Sequence, residues 1–110
     1  MAMKAGRLYA AFLFLNLAAG SVPAHAETIR IVIDKLVFTP ATVEAKPGDK
    51  IEWVNNDALL HTATVRDDWE IIIPAKKTAT MVVKDVGDME YFCRFHPNMK
   101  GRIIVTPTKR

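Results

Sequence analysis

The sequence predicts an all-β fold: a two-sheet β-sandwich of about seven to eight short strands behind a cleavable N-terminal segment. Three observations predict it. Short runs rich in β-branched and aromatic residues recur after Glu27, two of them alternate polar and apolar residues at period two, and no segment sustains a helical period for three turns.

The N-terminus is read first. Lys4 and Arg7 precede a twelve-residue run, Leu8 to Ala19, whose one polar residue is Asn16, and Ala24-His25-Ala26 follows with small residues flanking a spacer. This is the pattern of a secretory signal peptide, residues 1–26, cut after Ala26. A spanning helix needs about 20 apolar residues, more than this run holds. No cysteine stands beyond the cut to accept a lipid, and Lys4 and Arg7 are not a twin-arginine pair, so the domain, residues 27–110, is expected in the periplasm without a membrane anchor. Lys4 and Arg7 leave with the leader, reducing fifteen basic residues to thirteen against twelve acidic ones, a net +1. That balance gives no reason to expect a nucleic-acid partner.

Along the mature chain, Thr28 to Ile33 alternates as a strand, and Ala41 to Ala45 is a second. Lys46-Pro47-Gly48-Asp49 is a turn, since proline presets φ and glycine accepts φ > 0 at the next position. Lys50 to Val54 alternates again, and Asn55-Asn56-Asp57 ends it. His61 to Val65, Ala79 to Val83, Met89 to Phe92 and Arg102 to Thr106 complete the set, with Val86-Gly87-Asp88 as a further turn. Seven or so short strands in 84 residues suit two sheets packed face to face better than a closed barrel. A core this small is marginal, so a metal bound only by the native state would stabilise it.

An exported chain normally uses cysteines in pairs, yet Cys93 is alone. It is open to three readings: an intermolecular disulfide, a buried inert thiol, or a metal ligand. Its neighbours favour the third. Cys93, His96 and Met99 lie within seven residues between two expected strands, with Pro97 to stiffen the segment and Gly101 to turn the chain into the next strand. His61 is the one other histidine of the mature chain and opens an expected strand. Two imidazoles, a thiolate and a thioether form the donor set of a blue-copper centre, a His₂Cys plane with a long axial Met, whereas structural zinc gains little from a thioether.

On these residues the chain resembles the small cupredoxins of the plastocyanin and azurin superfamily, the amicyanin-like branch in particular. Phe38-Thr39-Pro40, Lys46-Pro47-Gly48-Asp49, Trp53-Val54-Asn55, His61 and Gly87 to Cys93 appear in the family's order, and the spacing Cys93-x-x-His96-x-x-Met99 is the amicyanin arrangement. The resemblance implies a Greek-key cupredoxin sandwich and one type 1 copper, with His61, Cys93 and His96 equatorial and Met99 axial. Thr62 departs from the pattern, since relatives carry an asparagine there that braces the ligand loop. A hydroxyl can hydrogen-bond in its place, and such bonds tune the potential. The segment from His61 to Cys93 is also shorter than in amicyanins, so a dedicated methylamine dehydrogenase partner is not expected.

The expected function is to carry single electrons as a monomer between redox proteins, such as a c-type cytochrome and a periplasmic dehydrogenase. Four protein ligands and no open position suit that task. His96 is the expected exit, framed by Leu59, Leu60, Phe95 and Pro97, and Arg94, Lys100 and Arg102 are candidates to steer an acidic partner. The alternative is a copper chaperone or scavenger without redox cycling. An enzyme is not expected: a catalytic copper needs further histidines and an open position, and both mature histidines are committed.

Overall fold

The structure, a computed structural model, describes residues 25–108. Residues 1–24 of the expected signal peptide lie outside them. The described chain is all β: β1 (Thr28–Asp34), β2 (Val37–Thr39), β3 (Thr42–Ala45), β4 (Lys50–Asn55), β5 (His61–Val65), β6 (Trp69–Ile73), β7 (Thr78–Val82), β8 (Gly87–Cys93) and β9 (His96–Val105). One sheet runs β2-β1-β4-β7 and the other β3-β9-β8-β5-β6. Most neighbours are antiparallel, but β1 pairs with β4 and β3 with β9 in parallel, so each sheet is closed by strands distant in sequence.

Alternation builds the core. Ile31 and Ile33 on β1, Ile51 and Trp53 on β4, Tyr91 and Cys93 on β8 and Ile103 on β9 are fully buried at every second position. Each buried side chain of this size contributes about 1.5–3 kcal/mol. Tyr91 sits edge-on to Phe38 and Trp53, and its hydroxyl accepts a hydrogen bond from Trp53 Nε1 at 3.3 Å. Burial pushes the phenol up to about 12, although the Trp53 bond pulls the other way.

Nine strands replace the expected seven to eight, the additions being β2 and β6. The turn joining β1 to β2 is Lys35-Leu36, with φ of 53° and 62°. Such two-residue turns normally use Asn or Gly, so this one carries no sequence signal. In β6 the run Ile71-Ile72-Ile73 masks an alternation that burial makes plain.

The ligand segment also differs from expectation. It is a tight hairpin in which Cys93 pairs with His96, β9 begins at His96, and a register shift falls between Phe92 and Cys93. Gly101 is therefore not a turn residue. It lies inside β9 opposite Tyr91, and any Cβ there would run into the Tyr91 ring.

Strand direction gives the sandwich two ends. One gathers the Lys35-Leu36 turn, the end of β4, the start of β5 and the β8–β9 hairpin. The other gathers Glu27, the Lys46–Asp49 turn and the end of β9.

Candidate metal centre

His61 opens β5 because the preceding loop is tightly organised. Asn55, fully buried, accepts from the Asp57 amide at 2.9 Å, and its Nδ2 lies 2.8 Å from the Leu59 carbonyl and 3.1 Å from those of Ile73 and Pro74. The loop delivers His61 into the sandwich with no exposed surface.

Cys93 ends β8, also fully buried, and the Arg94-Phe95 turn returns the chain to place His96 beside it. His61 Nδ1 and His96 Nδ1 each lie 3.7 Å from Cys93 Sγ, and all three donor atoms are within 4.8 Å of one another. The two rings meet edge-on with centroids 5.3 Å apart. A trigonal centre with bonds of about 2.0 Å to nitrogen and about 2.3 Å to sulfur puts nitrogen and sulfur roughly 3.7 Å apart. The donors therefore stand at the spacing such an ion needs. Met99, inside β9 and three residues past His96, is buried in the same core cluster as Cys93.

Two sets of hydrogen bonds hold this arrangement. Asp57, in sequence a turn residue and no more, places its carboxylate to accept from His61 Nε2 at 2.9 Å and from the amides of Lys35 at 2.7 Å and Leu36 at 3.0 Å. The bond at Nε2 fixes the tautomer that turns the Nδ1 lone pair toward Cys93. Burial raises the Asp57 carboxyl, but the Leu36, His61 and Lys35 bonds outweigh it and hold the group below the usual carboxylate range.

The second set centres on Thr62. Its amide donates to Cys93 Sγ at 3.4 Å, and its hydroxyl accepts from the Arg94 amide at 2.8 Å. The hydroxyl thus braces the hairpin in the way expected of a substitute for asparagine. It lies 2.8 Å from the Thr64 hydroxyl, which donates to Glu70 Oε1 at 2.8 Å, and Glu70 grips the Arg94 guanidinium with bonds of 2.9 and 3.0 Å. With the Thr64 proton committed to Glu70, Thr62 donates to Thr64, and the chain of hydroxyls has one direction. Arg94 foremost, and Thr64 after it, keep the Glu70 carboxyl below its ordinary range. The network joins β5, β6 and the hairpin, a convergence that sequence spacing does not reveal.

Around half-buried His96, Leu59, Leu60 and Phe95 are 50%, 41% and 47% exposed, and Pro97 is exposed too. Leu36 and Val37 extend this apolar rim from the β1–β2 turn. Of the three candidate steering cations, Arg94 is bound to Glu70 and Arg102 lies 3.5 Å from Asp88, which leaves Lys100 outside the ion pairs among the described residues.

Residues 7–105 match the family model of a cupredoxin-like domain. The chain is 30% identical to amicyanin of Paracoccus versutus over 95 residues, which span 80% of this chain and 70% of that protein. It is also 30% identical to the chloroplastic plastocyanin of Tetradesmus obliquus over 105 residues, covering 77% and 70%. The crystal structure of Paracoccus versutus amicyanin superposes with a TM-score of 0.64 at 27% identity, covering 81% of this chain and 89% of that one.

Proposed function

The chain belongs to the cupredoxin-like family, and on that premise we propose that it is an exported, periplasmic protein that carries single electrons at one type 1 copper held by His61, Cys93, His96 and Met99. The observation that carries this reading is the buried N₂S triangle, with each imidazole nitrogen 3.7 Å from Cys93 Sγ. Its donor set and spacing fit copper.

Copper supplies the one-electron couple between Cu(II) and Cu(I). The residues supply constancy. His61 is held by Asp57, Cys93 by the Thr62 amide, and the hairpin by the Thr62 hydroxyl, so none of the three needs to move when charge changes. Met99, 4% exposed and in the same core cluster as Cys93, would supply the fourth donor. His96 presents the ring edge nearest solvent within an apolar rim, a surface suited to brief contact with another redox protein. A c-type cytochrome and a periplasmic dehydrogenase are the partner classes proposed. Export is supported by the Lys4/Arg7, Leu8–Ala19 and Ala24-His25-Ala26 pattern, with the cut after Ala26.

The test is spectroscopy with voltammetry on copper-loaded protein. Intense sulfur-to-copper charge-transfer colour and a reversible one-electron wave are expected. Cys93→Ser abolishes the colour, and Met99→Leu keeps it while raising the potential. A colourless copper complex, or release of copper on reduction, would overturn the carrier reading and favour the alternative of a copper chaperone or scavenger.

A further inference from the structure

We infer that Asp49 is the seat of the α-ammonium group created when the leader is cut after Ala26, forming an ion pair that locks the processed chain start onto the end of the sandwich far from the metal. This rests on the processing proposed above.

Glu27 is already held at both ends of its backbone. Its nitrogen donates to Asp49 Oδ1 at 2.9 Å, and its carbonyl accepts from the Lys50 amide at 2.8 Å. These bonds extend the parallel β1–β4 pairing by one residue, so the position of the nitrogen is set by the sheet and not by what precedes it.

Asp49 is correspondingly prepared. Its side chain is only 5% exposed, and its second oxygen accepts from the Lys46 amide at 2.8 Å across a turn whose Gly48 has φ of 97°. Yet it forms no ion pair among the described residues. The turn's own lysine directs its ammonium elsewhere, to Thr106 Oγ1 at 2.9 Å. Its bonds are to two backbone N–H groups, which satisfy its oxygens without balancing its charge.

Processing supplies a counter-ion in place. Hydrolysis of the Ala26–Glu27 bond by a leader peptidase puts the hydroxyl of water on the Ala26 carbonyl, and the Glu27 nitrogen leaves as an amine that takes up a proton at neutral pH. One neutral donor at 2.9 Å becomes a charged group with three, and a bond charged only on the acceptor side becomes an ion pair. His25 and Ala26, which line the same cleft, depart with the leader. Among the described residues, the other charged groups lining the cleft are the Glu27 side chain, Glu44 and Lys46, with Lys50 beside it.

The pair raises the α-amino group above its ordinary range of about 7.7–8.0. Its stabilisation is complete below that range and is lost as pH rises through the seated group's higher value.

The experiment uses exported protein, with its first residue fixed by intact mass, and a second chain made to begin at Ala26. The α-amino titration is followed by NMR in folded and unfolded protein. The folded group is expected to hold its proton at least tenfold more tightly, and the chain beginning at Glu27 to melt above the one beginning at Ala26. Asp49→Asn closes that gap, and if this variant does not fold, the titration and the two chain starts decide. An ordinary α-amino titration, or equal melting, in protein known to begin at Glu27 overturns the ion pair and leaves the processing intact. A different first residue overturns both.

Discussion

The two ends of the sandwich are each gathered by one aspartate, and the same device serves different purposes. At the metal end Asp57 collects the Lys35 and Leu36 amides and the far nitrogen of His61. At the other end Asp49 collects the Lys46 and Glu27 amides. Asp49 fastens backbone to backbone and affects only whether the chain is folded. Asp57 fastens backbone to a side chain that itself points at the donor triangle, so its loss affects what the folded chain can hold. Position relative to a ligand, not chemistry, separates a structural aspartate from a positioning one.

Asp57→Ala is the hardest blow to this contrast. It leaves a buried ring N–H without an acceptor, which costs about 1–3 kcal/mol, and frees two exposed turn amides to water. Copper affinity should also fall about 10–100-fold, as for other residues that orient a ligand histidine. Calorimetric unfolding and competition against a chelator read the two separately. Full copper affinity in a destabilised Asp57→Ala protein would make the two aspartates equivalent.

Next in size is Tyr91, in the core between the ends and the one tyrosine beyond the leader. Because its folded value is raised to about 12 from about 10, the unfolded chain loses that proton first. Stability is complete below pH 10 and falls as pH rises toward 12, by on the order of 2–3 kcal/mol. Phenolate absorbance should therefore appear late and together with unfolding.

Asp49→Ala should lower stability by about 1–3 kcal/mol by orphaning the Lys46 amide and the Glu27 nitrogen. Colour, copper affinity and potential should remain unchanged. A shift in any of them would show that the far end communicates with the metal. The smallest effect is expected from Glu70→Gln. The native Glu70 clip is complete above the ordinary glutamate range and is lost as pH falls through its lower folded value, so the variant should show a shallower acid limb in unfolding titrations.

The meeting of His61, Cys93 and His96 was largely legible in the sequence, because thiol, imidazole and thioether groups are few and three of them fall within seven residues. Periodicity likewise gave the strands that alternate, such as β1 and β4. What escaped reading is what depends on distant partners. Asp57 looks like a turn residue until the β1–β2 turn, 21 and 22 residues earlier, folds onto it. The Thr62, Thr64, Glu70 and Arg94 network draws on three elements, and none of its members is unusual alone. Gly101 invites a conformational explanation, whereas its actual constraint is the volume of the Tyr91 ring across the strand pair.

His61 and Cys93 have no exposed surface and Met99 has 4%, while His96 is half-buried. His96 is thus the one edge of this cluster that solvent reaches to any extent. A thiol with no exposed surface cannot align for in-line attack on a bulky disulfide, so the apo chain should resist mixed-disulfide formation even where oxidants are abundant.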